Sequence, residues 1–450
     1  MSCMYSSIRS PFAILSENIN QLFFLVKIGS VFLSEFFIYC VFKDFPCFIE
    51  RLSNKLASIN ILYVKLFQAF AFNNNLIDDK TNNSLLKFTD NAPWDHRDID
   101  YDTLFDIGDE YELKFDVDQP INSGMISLVF KAHKVSNGDP VIIKIKRNNI
   151  EARLKESMNN ILFCVDLFFM VPYFKKYNIK DSIHKTVDMI LQQTNFVKEV
   201  ENMVTMKNNC KHLQYVKIPY VSCEATQKYK NVILMEFIDG MTISKIAETD
   251  YAEFAKQVVK FGIVTFIMHG LSHGDLHAGN ILFIKDDNDK EYPHKIGVID
   301  FGIVYQTDPL LKSTFFEICC DLFTLTPEEI TKKLIKTGMI EPVEAFDQMS
   351  EKNYNRIFNI TMSVIKEAMD DKKSATQVQV YKFLNDLSVF LQEDEEIFNL
   401  GLRPNETFIK MQIVLAMAHG ITLTLCKEDY LSVADKVINE LFHTELLELE

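Results

Sequence analysis

Glycine and proline are scarce, at 14 and 12 of 450 residues. That leaves no material for long flexible or polyproline linkers. Cysteine is sparse and unpatterned: nine residues, at 3, 40, 47, 164, 210, 223, 319, 320 and 426, with no CxxC pair. An odd count without motif spacing argues against a disulfide framework or a zinc module. It reads as reduced, mostly buried thiols in a reducing compartment, cytoplasm or organelle interior, with Cys319 and Cys320 on an apolar face beside Phe316. Positive charge is also short, since 47 Lys+Arg face 62 Asp+Glu for a net charge of −15. Affinity for a nucleic-acid backbone is mostly cationic contact, so nucleic acid is not an expected partner. A local groove for one nucleotide is compatible with that balance.

A charge-free apolar run of the roughly 18 residues that a spanning helix needs is missing too. The most apolar stretch, 19–43, is interrupted by Lys27 and Glu35. It is expected to form a buried or membrane-skimming amphipathic helix rather than a transmembrane anchor. A second apolar run, Asn160–Phe174, reads as core between helices, with lipid docking as the alternative. The first dozen residues carry one Arg and no secretory cleavage pattern.

What is present is an ordinary core-forming composition, 48% hydrophobic and 24% charged. The length suits two or three lobes. Residues 11–72 read as helical, and 73–118, polar and acidic, as a linker or surface wrap. From 126 the period changes. Ile126–Lys134 and Pro140–Arg147 are β-rich runs flanking an Asn137-Gly138 pair, a hairpin signal. Residues 150–210 read as helices, Asn231–Phe237 as a strand and 249–269 as a helix. Ile281–Ile284 and Lys295–Ile299 read as a second hairpin, and everything after 305 as helical. Thr326-Pro327-Glu328-Glu329 is a capping box with Pro at the first helical position. The boundaries expected are a helical extension and linker over 1–95, a small-sheet lobe with inserted helices over 96–236, and a helical lobe over 237–450.

The chemistry concentrates in His273-Gly274-Asp275-Leu276-His277-Ala278-Gly279-Asn280, followed by Asp300-Phe301-Gly302. Phosphoryl transfer from ATP needs metal ions to neutralise phosphate charge and a carboxylate to orient the acceptor and take its proton. Asp275 and Asn280 have the spacing of a catalytic base followed by a metal-binding amide, and Asp300 is the second expected metal ligand. Either motif alone is common turn chemistry. Both in order, with strands between them, point to Mg²⁺ and ATP. His269, His273 and His277 stand at i, i+4 spacing, but the last two belong to the catalytic loop, so a zinc site is not expected. Upstream, Lys144 ends an alternating strand, as the lysine that holds the α/β-phosphates does; with Lys146 and Arg147 beside it, it would by itself read as a solvated strand end, but the downstream motifs favour the phosphate role. Glu199 is its expected acidic partner. Met235, Glu236 and Phe237 fit either an adenine-binding connector or an ordinary core strand.

These residues resemble the UbiB (aarF-domain) family of atypical protein-kinase-like proteins, over roughly residues 60–340. HGDLHAGN has the family's form of the catalytic loop. Lys65-Leu66-Phe67-Gln68 is similar to its K-x-G-Q element, with Lys65 and Gln68 the candidate regulatory pair. Pro120–Val129 is similar to its Ala-rich nucleotide loop, which makes Asn122, Ser123 and Gly124 candidate nucleotide contacts. Gln193–Glu199 is similar to its E-x-D-x-x-x-E segment. The resemblance implies an α+β, two-lobed protein-kinase-like fold: a small antiparallel N-lobe sheet, a helical C-lobe and an added N-terminal helical extension. It also implies binding of ATP and Mg²⁺, phosphotransferase, ATPase or lipid-linked activity, and a link to isoprenoid-lipid (ubiquinone-type) metabolism; the apolar runs add a lipid or membrane surface as a candidate partner. The sequence departs from the family at Phe67, Gln193, Asn195 and the Asn122-Ser123-Gly124 triplet, so the family's N-terminal clasp is not expected to work in the same way. Gly274 stands where conventional kinases carry an arginine, and no A-P-E follows Gly302, so activation-loop phosphorylation is not expected to switch the protein. Two rival readings are a small-molecule phosphotransferase of the aminoglycoside or choline kinase type and a non-catalytic nucleotide-binding scaffold.

Overall fold

The computed structural model describes residues 11–60, 62–63, 92–169, 190–320, 325–338, 340–370, 399–405, 420–422, 424–426 and 430–441. Lys65 and Gln68 lie outside the described residues, as does the end of the 160–174 run. The chain divides into two compact units, Met1–Phe196 with Ser222–Leu234, and Val197–Val221 with Met235–Glu450.

The chain begins with α1 (Pro11–Phe42) and α2 (Phe45–Ile59), two helices that fold back on each other. Asp44 caps α2 by accepting from the Cys47 N–H. The stretch expected to be buried or amphipathic is neither. Among residues 19–42 only Phe24 and Glu35 are buried, while Phe23, Leu33, Phe37 and Phe42 are each at least 70% exposed. Glu35, which interrupts the run in sequence, is taken out of play by Arg51 at 2.8 Å and Lys55 at 2.5 Å, both from α2. Ile19–Phe42 is long and apolar enough to cross a membrane, by length and composition only.

The acidic stretch read as a linker is built into the first unit where it is described. Asp95 caps a short 3₁₀ turn at His96–Asp98 with a full capping box, and Asp100 caps α3 (Tyr101–Glu110). Ile99, Leu104, Ile107 and, in β1 (Leu113–Phe115), Leu113 enter the core. The acids that made this stretch look like a surface wrap are caps and an outer helix face.

β1 pairs with β3 (Ser127–Lys134), which also pairs with β2 (Asn122–Ser123) and β4 (Pro140–Lys146), all antiparallel. Asn137-Gly138 turns the β3–β4 hairpin as expected, with Gly138 at φ 77°. α4 (Ile150–Phe169) follows, then α5 (Phe196–Asn209), β5 (Val216–Lys217), α6 (Cys223–Lys228) and β6 (Val232–Glu236), which closes the sheet order β1-β3-β4-β6. One face of the sheet packs Leu128, Phe130, Ile143 and Ile145 against Leu104 and Ile107.

In the second unit α7 (Tyr251–Ile263) continues into a π-helical turn ended by Gly270 at φ 66°. β7 (Leu271–His273) leads to β8 (Ile281–Lys285) and β9 (His294–Val298), an antiparallel hairpin with β5 added in parallel on β9. The region after 305 is not wholly helical. β10 (Val304–Gln306) pairs with β7, and two further short strands, β11 (Ile340–Glu341) and β12 (Arg403–Pro404), pair with each other. Such two- and three-residue strands depend on distant partners and leave little local pattern. The helices are α8 (Pro309–Cys320), α9 (Pro327–Lys336), α10 (Glu351–Asp370) and α11 (Tyr430–Asn439). α9 carries the expected Thr326–Glu329 capping box. Ile330, Leu334, Ile340, Ile357 and Val437 share one apolar core.

The cysteines are less buried than expected. Of the five described as free thiols, Cys210 is buried, while Cys40 and Cys223 are exposed. Cys40 lies on the apolar α1 and Cys223 opens the short α6, so neither has a core to enter.

Candidate functional site

In the second unit the strand pair β7–β10 delivers the catalytic-loop motif. Gly274 N–H donates to the Ile303 carbonyl at 2.9 Å. A Cβ at Gly274 would stand 2.4 Å from Ile303 Cγ2 and 2.7 Å from the Tyr305 ring, so no side chain fits there. That gives the missing arginine at this position a steric reason.

His273 is the hub. Its ring is buried, its Nε2–H donates to the Asp300 backbone carbonyl, and its Nδ1 accepts from the Asp275 N–H at 3.2 Å. Both bonds require the neutral, Nε2-protonated ring. Burial, the largest influence, pushes the His273 pKa below 6.5 despite the neighbouring Asp300 charge. The ring also meets Phe301 edge-on, with centroids 5.4 Å apart. One imidazole therefore fixes the start of the Asp275 loop against the chain just past β9, at Asp300.

Asn280 closes the loop, its amide NH₂ donating to the Asp275 carbonyl at 2.8 Å. That bond leaves the amide oxygen for a cation. The Ile299 N–H donates to the Asn280 carbonyl at 3.1 Å, so the β8–β9 hairpin returns the chain to its start just before Asp300. The Asp300 carboxylate accepts from the Gly302 N–H at 3.0 Å. Asp275 Oδ2 and His277 Nε2 stand 3.9 Å apart. Asp300 and Asn280 offer oxygen donors, the class that suits Mg²⁺. Among the described residues no three His, Cys, Asp or Glu group closely enough to hold a metal by themselves. A cation here would need amide and phosphate oxygens as well, which is how Mg²⁺ is ordinarily held beside nucleotides.

Glu199, expected as the partner of Lys144, accepts a bond from the Phe301 N–H at 3.5 Å within its own unit. Asn202, one turn further along α5, donates to the Phe301 carbonyl at 3.1 Å. Sequence reading did not single out Asn202; its signal was the i, i+3 spacing from Glu199. Met235 is buried, and the Glu236 N–H donates to the Tyr220 carbonyl at 2.8 Å. The Glu236 carboxylate binds Lys217 at 2.9 Å, so that N–H and that side chain are committed within the protein.

In the first unit Lys144 sits opposite Val129 in the β3–β4 ladder. It is only 8% exposed, which excludes a solvated strand-end lysine. Its ammonium stands 5.5 Å from the centre of the buried Phe196 ring. The loop before β3 is a tight turn in which the Gly124 N–H donates to the Ser127 carbonyl at 2.9 Å. Asn122 is exposed, but Ser123 is buried and its hydroxyl donates to the Ala92 carbonyl at 2.5 Å. A Cβ at Gly124 would meet nothing closer than 3.7 Å, so alanine fits there as well.

A family model for the ABC1 atypical kinase-like domain matches residues 101–334. The chain belongs to that family. The ABC1 match spans β1 to β10 and the motifs from Lys144 to Asp300, and with it the two-lobed kinase-like fold with an added N-terminal helical element stands. Among curated proteins the chain is similar to "Probable protein kinase UbiB" of Shewanella sp. (strain MR-4), 26% identical over 340 residues, 72% of this chain and 58% of that protein. The like-named protein of Shewanella baltica (strain OS155 / ATCC BAA-1091) is 25% identical over 338 residues with the same coverage. This ABC1 chain thus aligns with 58% of the length of those relatives. A solved structure, the Rv3197–erythromycin complex from Mycobacterium tuberculosis, is similar at TM-score 0.44 and 17% identity, covering 73% of this chain and 76% of that one.

Proposed function

We propose that this chain is an atypical kinase-like phosphotransferase or ATPase that binds Mg²⁺–ATP, is attached to a membrane through α1, and serves isoprenoid-lipid metabolism of the ubiquinone type. The observation that carries the reading is the buried His273 bound at once to the Asp300 carbonyl and the Asp275 N–H, with Asn280 tied to the Asp275 carbonyl. Two acids and an amide oxygen then share one rigid frame. A positioned carboxylate and a preorganised cation site are what phosphoryl transfer asks of a protein. In this reading Asp275 orients the acceptor oxygen and takes its proton. Asp300 and Asn280 hold Mg²⁺, which when bound neutralises charge on the phosphates. Lys144 steadies the α/β-phosphates, its burial keeping the ammonium in one place.

The lipid and membrane parts rest on the UbiB likeness and on the exposed apolar surface of α1. Phosphate release from ATP in the presence of Mg²⁺ tests the catalytic part. Asp300→Ala is expected to abolish it with the far-UV circular dichroism unchanged. Asp275→Asn is expected to lower turnover by about 10²–10⁴-fold while nucleotide still binds. Undiminished hydrolysis by a folded Asp300→Ala protein would sink the assignment.

A further inference from the structure

The loop 121–127 is held down from an unexpected direction. Segment 92–98 pairs with it: the Ala92 N–H donates to the Ser123 carbonyl at 2.7 Å, and the Ser123 hydroxyl returns a bond to the Ala92 carbonyl. The tip residue Met125 is buried in a cluster with Leu62, Ile150, Leu154 and Ile190. Arg147 joins these pieces. It lies just past the end of β4, three residues beyond Lys144, and its side chain is 1% exposed. Its Nε donates to the Gly124 carbonyl at 2.9 Å, and its Nη1 to the Pro93 carbonyl at 2.9 Å and to Asp98 Oδ2 at 2.7 Å. Its own N–H donates to the Ile126 carbonyl at 2.8 Å. Asp98 is fixed in turn: Oδ1 accepts from Arg153 at 2.5 Å, Oδ2 from the Asp95 N–H at 3.1 Å, and its carbonyl from the Asn148 N–H at 2.8 Å.

We propose that Arg147 and Asp98 are positioning residues that lock loop 122–126 into a single conformation against β3 and β4, so that nucleotide meets a preformed loop. The inference rests on the nucleotide reading above and adds a reason why affinity would depend on segment 92–98. A guanidinium is suited to this task because its planar fork can serve two carbonyls and a carboxylate together, which one ammonium cannot. A buried carboxylate shared by two arginines is costly to leave half-made, so the lock is either complete or lost. When a binding-competent loop is populated only a fraction of the time, apparent affinity falls by that fraction.

The test is titration calorimetry of the full chain with Mg²⁺ and a non-hydrolysable ATP analogue, alongside KM and kcat for ATP. Arg147→Lys and Asp98→Asn are expected to weaken binding on the order of tenfold and to raise KM, with kcat at saturating ATP kept within about twofold. Hydrogen exchange at the Gly124 amide should speed up in the same variants. Should Arg147→Lys fail to fold, Asp98→Asn and the smaller change Arg153→Gln, at the half-exposed second arginine on Asp98, carry the comparison. Folded variants whose affinity stays within twofold of the native chain would overturn the lock. So would a loss confined to kcat with KM unchanged, the signature of a smaller active fraction. If the native chain binds no nucleotide, it is the nucleotide reading that fails, a result distinct from either of these.

Discussion

At Gly274 the sequence says only that an arginine is absent; the structure adds why. The Cα faces Ile303 and Tyr305 so closely that a methyl group would overlap both. Gly274→Ala is expected to destabilise the chain by about 1–3 kcal/mol, as overpacking of a tight site does. The denaturant midpoint measures this, and Ile303→Ala in the same chain should recover part of the loss because the two sites touch. His273 gives a second, pH-dependent expectation. Burial holds its folded pKa below 6.5, and burial also lowers His269 to about 4. Below about 6.5 the unfolded chain therefore binds protons that the folded chain refuses, so stability present above that pH is lost as pH falls. Urea midpoints between pH 7 and 5 should decline, and His273→Gln should flatten the decline while retaining the His269 share.

Among the elements, the two hairpins were legible because their signals are local: Asn137-Gly138 with alternating flanks, and two apolar runs about the acidic turn at 285–293. Thr326 likewise announced α9. The elements that misled are those whose surroundings decide their role. In sequence Glu35 breaks an apolar run as a bare charge, whereas in the fold α2 brings Arg51 and Lys55 to it. The acids of 95–110 look like solvent-facing linker, yet two of them are caps over buried leucine and isoleucine. The loop 122–124, expected to contact nucleotide, owes its shape to partners that spacing does not show, since the Ser123 hydroxyl bonds Ala92 and the Gly124 N–H bonds Ser127. For α1 the expectation is physical. Leu33→Glu with Phe37→Glu places two charges on highly exposed apolar positions of one helix face and should markedly reduce flotation of the full chain with phospholipid vesicles. Equal flotation of the variant would show that α1 does not enter lipid.

At the scale of the whole molecule, two units with separate apolar cores carry the proposed machinery, Lys144 and its loop in one, Asp275, Asn280 and Asp300 in the other. Nucleotide that binds the folded chain should stabilise it by mass action. With Mg²⁺–ATP at about a hundred times its dissociation constant the gain is about 2.7 kcal/mol, visible as a rise in melting temperature. Lys144→Ala should remove most of that rise; a native chain whose melting temperature does not move would contradict the proposal. The excess of acid over base, the order of motifs, the hairpin turns and the Thr326 cap were settled by the sequence itself, the turns and the cap because each depends on residues within a few positions of one another. The neutral state of His273, the burial of Lys144, the neutralised Glu35 and the Arg147–Asp98 lock were decided only by tertiary structure. Each of these depends on burial or on a partner brought in from another element, and spacing along the chain records neither.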